Sequence, residues 1–289
     1  MFSDALRRDA ARIGAHLDEV LAKEPDLPVI HRMRYAVSGG KRLRGFLVME
    51  GARLHGVPEA QAIWPAAAIE AIHAYSLVHD DLPCMDDDDL RRGLPTVHRK
   101  WDDGTAVLVG DALQTLGFEL VLDAACHADP VVRADLALSL ARASGHRGMV
   151  LGQALDIQAE TAETPLTLDQ ITELQAGKTG ALIVWSAQAG ARLAQADLKP
   201  LTDYATALGL AFQIRDDILD ATGSDADIGK PAGSDEARGK ATYVTVLGLK
   251  EARVRLEAQQ SLAKEIASRL GPPGTNLQSL TDFVATRNH

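Results

Sequence analysis

The sequence predicts an all-α protein of ten or more helices, and three observations carry that expectation. Apolar residues recur at helical spacing, as in "LDEVLAK", "VVRADLALSLARA" and "LTDYATALGLAFQIRDDILD". Strict period-two alternation is hard to find, so little or no sheet is expected. Aromatic residues are only 4% of the chain, while alanine and leucine dominate a hydrophobic content of 46%.

The elements follow from their punctuation. Proline and glycine break the periodic segments at "EPDLP", "HGVPEAQ", "HADPVV", "AETPLTLDQ", "LKPLTD" and "GPPGTN". One helix is expected from about Ala60 to Leu82, where Pro83 resists its continuation. Thr167 with Gln170 resembles a capping box, and Pro200 suits a first turn. No linker or internal repeat divides the chain, so residues 1–289 are expected to form a single domain. Two segments read as loops with a function: His79 to Gly93, "HDDLPCMDDDDLRRG", and Ala221 to Thr242, which has the composition of a flap or of a plain connection.

Thirty Lys and Arg against 40 Asp and Glu leave a net charge of -10, which argues against a nucleic-acid partner. A small anionic substrate remains compatible, because a few clustered cations outweigh the global field locally. Cys84 and Cys126 have neither metal-ligand spacing nor a disulfide framework, so a reducing, cytoplasmic setting is expected. The start, "MFSDALRRDAARIG", lacks the apolar core of a signal peptide. The candidate span "WPAAAIEAIHAYSLV" is interrupted by Glu70 and His73, so no stable membrane insertion is expected.

Two aspartate clusters stand out. Asp80 and Asp81 fall in the last turn of a helix, where the partial negative charge of the helix end disfavours carboxylates and a cation would relieve the repulsion. Asp86 and Asp87 follow closely enough for the chain to fold back and share an ion. In "FQIRDDILD", Asp216 and Asp220 are i and i+4 on one face, with Asp217 between them and apolar neighbours Ile214, Ile218 and Leu219. Oxygen-only ligands favour Mg²⁺ or Mn²⁺. Either cluster alone also fits a solvated acidic face; the pair, with cations nearby, is far more specific. An EF-hand is excluded, since Arg91 and Val97 stand where glycine and glutamate belong.

The cations form their own set. "SGGKRLRG" supplies Gly39, Gly40, Lys41, Arg42 and Arg44, with Lys41 and Arg44 expected three apart on the following helix. It is not a Walker A loop, because Arg42 replaces the Ser/Thr and Tyr35 the first glycine. Arg91 and Arg92 follow the first aspartates directly. Lys178 lies in "AGKTGA", where Gly177 and Gly180 interrupt a helical pattern and suggest a kink. Lys230 and Lys240 lie in the possible flap. Singly, each is a plausible solvated charge. His73 is two helical turns before Asp80, and a satisfied core histidine is its alternative.

These motifs resemble the trans-isoprenyl (polyprenyl) diphosphate synthase family. The match runs through "GGKRLR", "IHAYSLVHDDLPCMDDDDLRRG", "GQALD", "GKTG", "FQIRDDILD", the two "GK" pairs and the terminal "RNH". The resemblance implies an antiparallel helical bundle around a central cavity, a homodimer, and head-to-tail condensation of isopentenyl diphosphate with allylic diphosphates. It implies Mg²⁺, three per site with Mn²⁺ possible, at Asp80, Asp86 and Asp216, supported by Asp81 and Asp87, with Asp217 and Asp220 nearby. Lys41, Arg44, His73 and Arg92 would bind isopentenyl diphosphate. Arg91, Lys178, Lys230 and Lys240 would neutralise the allylic diphosphate, with Thr179 and Gln213 turning oxygen dipoles toward a carbocation. Tyr75, with Ser76 beside it, resembles the pattern of a fifteen-carbon product, farnesyl diphosphate. The alternatives are geranyl or geranylgeranyl products, a class I terpene cyclase, an HD-type phosphohydrolase prompted by His79-Asp80, and a non-catalytic regulatory subunit.

Overall fold

The computed structural model describes residues 1–160, 164, 166–222 and 242–287. They form α1 (Phe2–Ala22), α2 (Pro28–Ala36), α3 (Leu43–Leu54), α4 (Glu59–Asp80), α5 (Val97–Lys100), α6 (Asp103–Leu122) and α7 (Pro130–Ser144). Next come α8 (Met149–Glu160), α9 (Leu168–Gln175), a π-helical turn (Ala176–Gly180), α10 (Ala181–Leu193) and α11 (Lys199–Thr222). The chain closes with α12 (Tyr243–Leu247), α13 (Leu249–Arg269) and α14 (Thr275–Thr286). The all-helical expectation holds, and the one sheet among the described residues is a hairpin of β1 (Leu90–Arg91) and β2 (Leu94–Pro95). Most of the expected flap lies outside the described residues. Two compact units are present, one of residues 1–138 and 189–196, the other of residues 139–188 and 197–289.

In the first unit α4 is the organising helix. Ala62, Ala66, Ala67, Ala68, Ile69, Ala71 and Ile72 are wholly buried, and a helix apolar all round must be enclosed. Small residues on α3 and α6 let it be enclosed tightly. A Cβ on Gly45 would lie 2.6 Å from Ile13 Cδ1, and one on Gly117 would lie 2.6 Å from Ile72 Cγ1. Glu70, which interrupts the apolar run, is buried and accepts a hydrogen bond from the Gly45 N–H at 2.8 Å, so its charge is answered.

Buried charge ties α1 to α3. Arg53 donates to both carboxylate oxygens of buried Asp9, at 2.6 and 2.8 Å, and to Glu50 at 2.5 Å. Burial works against the Arg53 charge, but these carboxylates and Glu59 outweigh it and raise its pKa. Among the described residues α6, not the stretch singled out above, is the helix long and apolar enough to cross a bilayer, with a mean hydropathy of 1.4. Half of that window is buried in the protein, which is the pattern of a core helix.

The second unit is built on α11. Ile214, Ile218 and Ala211 join Ile171, Tyr243, Ala252, Leu256 and Ala285 in one apolar cluster. Tyr204 reaches α14 by donating to the Leu277 carbonyl at 2.9 Å. The expected capping box opens α9: Gln170 N–H donates to Thr167 Oγ1, and Thr167 N–H to Gln170 Oε1.

Close helix approach generates a stability prediction. A Cβ on Gly190 of α10 would overlap the backbone of Gly51 and Ala52 in α3. Gly190→Ala should cost about 2–3 kcal/mol, read as a lower urea midpoint with an unchanged slope.

Candidate active site

The first aspartate motif is a closed turn. α4 ends at Asp80, and Asp86 N–H donates to the Asp80 carbonyl at 2.8 Å, satisfying an oxygen the helix end leaves open. Asp87 N–H donates to the Leu82 carbonyl at 3.1 Å, and Asp87 itself adopts φ 53°. The fold-back expected around Pro83 is therefore present, with the backbones of Asp80 and Asp86 directly bonded. Buried Asp81 turns inward, its Oδ1 accepting from both Nε and Nη2 of Arg91, whose Nη2 also donates to Asp88 at 3.0 Å. Burial lifts the Asp81 pKa against the pull of Arg91, whose own pKa is held up by Asp81 and Asp88 in spite of its burial.

The hairpin sorts the two arginines. Arg91 lies opposite Leu94, and the connecting residues Arg92 and Gly93 both have positive φ, the geometry of a tight primed turn. Arg91 goes to the aspartates, whereas Arg92 lies against Gly40 and donates to the Ser38 carbonyl at 3.0 Å. Gly40, at φ 81°, has no room for a side chain: a Cβ would sit 2.7 Å from the Arg92 guanidinium carbon. A cavity of about 210 Å³ opens here, lined among others by Ser38, Gly39, Gly40, Asp81, Arg91 and Arg92.

His73 lies 3.3 Å from Arg44 Nη1 through Nε2. Desolvation first, then the charges of Arg44, Arg92 and Arg91, hold its pKa well below the ordinary histidine value. Burial and the charges of Arg42 and Arg91 likewise hold Arg92 down, against the pull of Glu70. An anion placed among these groups would relieve each of them.

The second unit holds the other motif. The kink expected at "AGKTGA" is the π-helical turn Ala176–Gly180. Lys178 Nζ donates to Asp156 on α8 at 2.6 Å. Thr179 Oγ1 donates to Gln213 Oε1 at 3.2 Å, and Gln213 Nε2 donates to Asp217 at 2.9 Å, which fixes which way the amide faces. Buried Asp217 also accepts from the Tyr243 N–H at 2.7 Å. Asp216 is ion-paired with Arg287, and Asp220 is buried.

The structure corrects several expectations. Lys41 is exposed and precedes α3 rather than lying on it, because the backbone turns through positive φ at Gly39, Gly40 and Arg42 before the helix starts at Leu43. Asp88 and Asp89 pair with Arg91 and Arg99. Lys230 and Lys240 lie outside the described residues. Tyr75 is buried on α4, its ring edge-on to His79 at 5.8 Å, and Ser76 Oγ donates to the His73 carbonyl at 2.9 Å. Sequence reasoning assigned no role to Asp156, although "GQALD" was visible, and none to Gly152. A Cβ on Gly152 would overlap the backbone nitrogen of Lys178, a long-range approach with no local signal.

The donor chemistry fits a hard cation. Among the described residues no three His, Cys, Asp or Glu side chains gather as a complete metal cage. Mg²⁺ takes one or two protein carboxylates and completes its shell from water and phosphate, which suits these divided aspartates.

Carboxylate motifs and clustered guanidiniums have the chemistry that suits a polyanion bound with hard cations. The chain belongs to the polyprenyl synthetase family, which residues 29–270 match. It is 46% identical to the farnesyl diphosphate synthase of Escherichia coli over 90% of each chain. It is 38% identical to geranylgeranyl pyrophosphate synthase 4 of Arabidopsis thaliana over 97% of this chain and 76% of that one. The crystal structure of an FPP/GFPP synthase from Zymomonas mobilis superposes with a TM-score of 0.90 at 42% identity over 98% of both chains.

Two predictions rest on this geometry. Gly152→Ala should displace Lys178 and lower both the melting temperature and turnover, whereas Gly145→Ala, whose Cβ would meet only the Ala141 carbonyl, should leave Lys178 in place and spare turnover more than stability. For His73 the sign is that of a base whose folded pKa is depressed: its stability contribution is present above about pH 6.5 and is lost as pH falls below it. His73→Gln should flatten the acid-side fall in stability below about pH 6.5, read as the change of the urea midpoint with pH.

Proposed function

We propose that this chain is a farnesyl diphosphate synthase, condensing isopentenyl diphosphate with dimethylallyl and then geranyl diphosphate. The observation that carries the proposal is the sorting of cations beside the first aspartate turn: Arg91 answers Asp81, while Arg44 lies against His73 and Arg92 against the glycine loop. Two diphosphates of different roles need two such sets. The name of the Escherichia coli relative supports the same product.

In this reading Lys41, Arg44, His73 and Arg92 bind isopentenyl diphosphate. His73 is neutral near pH 7 and contributes hydrogen bonding rather than charge. Asp80, Asp86 and Asp216 would hold Mg²⁺, with Mn²⁺ as substitute, and Asp81, Asp87, Asp217 and Asp220 would support them. Bound there, Mg²⁺ would supply positive charge that stabilises pyrophosphate as a leaving group. Arg91, Lys178, Lys230 and Lys240 add positive charge for the same group. The allylic C–O bond breaks with its electron pair on pyrophosphate. The double bond of isopentenyl diphosphate then supplies the electrons of the new C–C bond, and a proton is lost to the departed pyrophosphate. Thr179 and Gln213 offer oxygen lone pairs to the cation.

Tyr75 acts as part of the floor that stops growth at fifteen carbons. The chain works as one domain, a reading supported by a family match that runs unbroken from residue 29 to residue 270. It is a cytoplasmic homodimer; the homodimer is supported by Val107, Leu108 and Leu122, which α6 leaves exposed and a second copy would cover.

Labelled isopentenyl diphosphate with each allylic substrate and Mg²⁺ should give a fifteen-carbon product. Absence of pyrophosphate release would return the regulatory-subunit alternative, and a twenty-carbon main product would move the chain to the geranylgeranyl branch. Asp80→Ala should cut turnover by roughly 10²–10³-fold. Tyr75→Ala should lengthen the product, and an unchanged product distribution would remove Tyr75 from the floor.

A further inference from the structure

The last described residue, Arg287, is folded back onto the helix that carries the second aspartate motif. α14 ends at Thr286, and the Arg287 carbonyl accepts from Arg215 Nε at 2.9 Å and Nη2 at 2.5 Å. The Arg287 side chain runs the other way across the same helix. Its guanidinium carbon stands 3.9 Å from the centre of the Phe212 ring, and Nη2 reaches the Phe212 carbonyl at 3.4 Å and the carboxylate of Asp216. Phe212, Arg215 and Asp216 are i, i+3 and i+4 of α11, so one half-buried stripe clasps both the backbone and the side chain of one residue.

The clasp brings two cations together, which needs compensation. Burial and then the charge of Arg287 hold the Arg215 pKa down. Arg287 is 11% exposed and Asp216 41%, so the arginine is the more dehydrated partner and the one that most needs its counter-ion. Asp216 has access to solvent and to a second ligand.

We propose that Arg287 is the resident counter-ion of Asp216, holding its carboxylate in place without metal and competing with a divalent cation for it. The inference rests on the metal role proposed for Asp216. A cation binding there must displace the guanidinium or share the carboxylate with it, and the end of the chain is thereby coupled to the loading of the second motif. Reciprocity follows: metal loosens the C-terminal clasp by the factor with which the clasp weakens metal.

The test uses Mn²⁺ as the probe, titrated into the full-length protein without substrate and read by loss of the free-ion electron paramagnetic resonance signal. Asp216→Asn should remove binding at the second motif. Arg287→Gln should tighten that same binding about fivefold, the size of an ion pair of this exposure, and Arg287→Lys should fall between it and the unsubstituted protein. Phe212→Leu removes the ring under the guanidinium and should act in the same direction to a smaller extent, which keeps the test open if Arg287→Gln folds poorly. Unchanged or weaker Mn²⁺ binding in both Arg287→Gln and Phe212→Leu, with Asp216→Asn losing the site, overturns the counter-ion and leaves the metal reading standing. Unaltered binding in Asp216→Asn overturns both.

Discussion

A buried apolar helix that ends in carboxylates is the constraint on which the first unit depends. α4 has no polar face along most of its length, so its position is set by packing against the backbones of α3 and α6 at Gly45 and Gly117. Its final residues are Asp80 and Asp81, at the end of the helix where negative charge is least welcome. The protein answers in two ways. The chain turns back so that the Asp86 N–H covers an open carbonyl, and Arg91 is brought in by a hairpin to neutralise Asp81. The backbones of Asp80 and Asp86 are thereby held side by side.

The same economy runs through the second unit. Asp217 is used internally, by Gln213 and by the Tyr243 N–H, and in being used it orients the Gln213 amide so that its oxygen faces Thr179. A carboxylate inside a metal-type motif therefore acts on a neighbouring dipole as much as on any cation. The π-helical turn supplies Lys178 and Thr179 as adjacent residues with different partners, Asp156 and Gln213, which a regular helix would place less freely.

Legibility in the sequence followed distance along the chain. The end of α4, the return turn at Pro83, the capping box at Thr167 and the kink around Lys178 were all visible, because each is fixed by residues within a few positions. The helical class and the pairing of the aspartate motifs with glycine-bearing cations were visible for the same reason. The contact of Gly152 with Lys178 and that of Arg287 with Asp216 join residues far apart in sequence, and neither leaves a local pattern. Lys41 was misplaced onto α3 because one residue other than glycine, Arg42, also takes positive φ and delays the helix. α6 escaped attention as the most apolar long helix because Asp111, Gln114 and Glu119 break its run on one side only.

The two-residue turn at Arg92 and Gly93 makes neighbours in sequence into strangers in space. Arg91 belongs to the aspartates and Arg92 to the glycine loop, and what separates them is strand register alone. Such an arrangement is intolerant of insertion: one added residue would swap their addresses, so the length of this segment matters as much as its side chains.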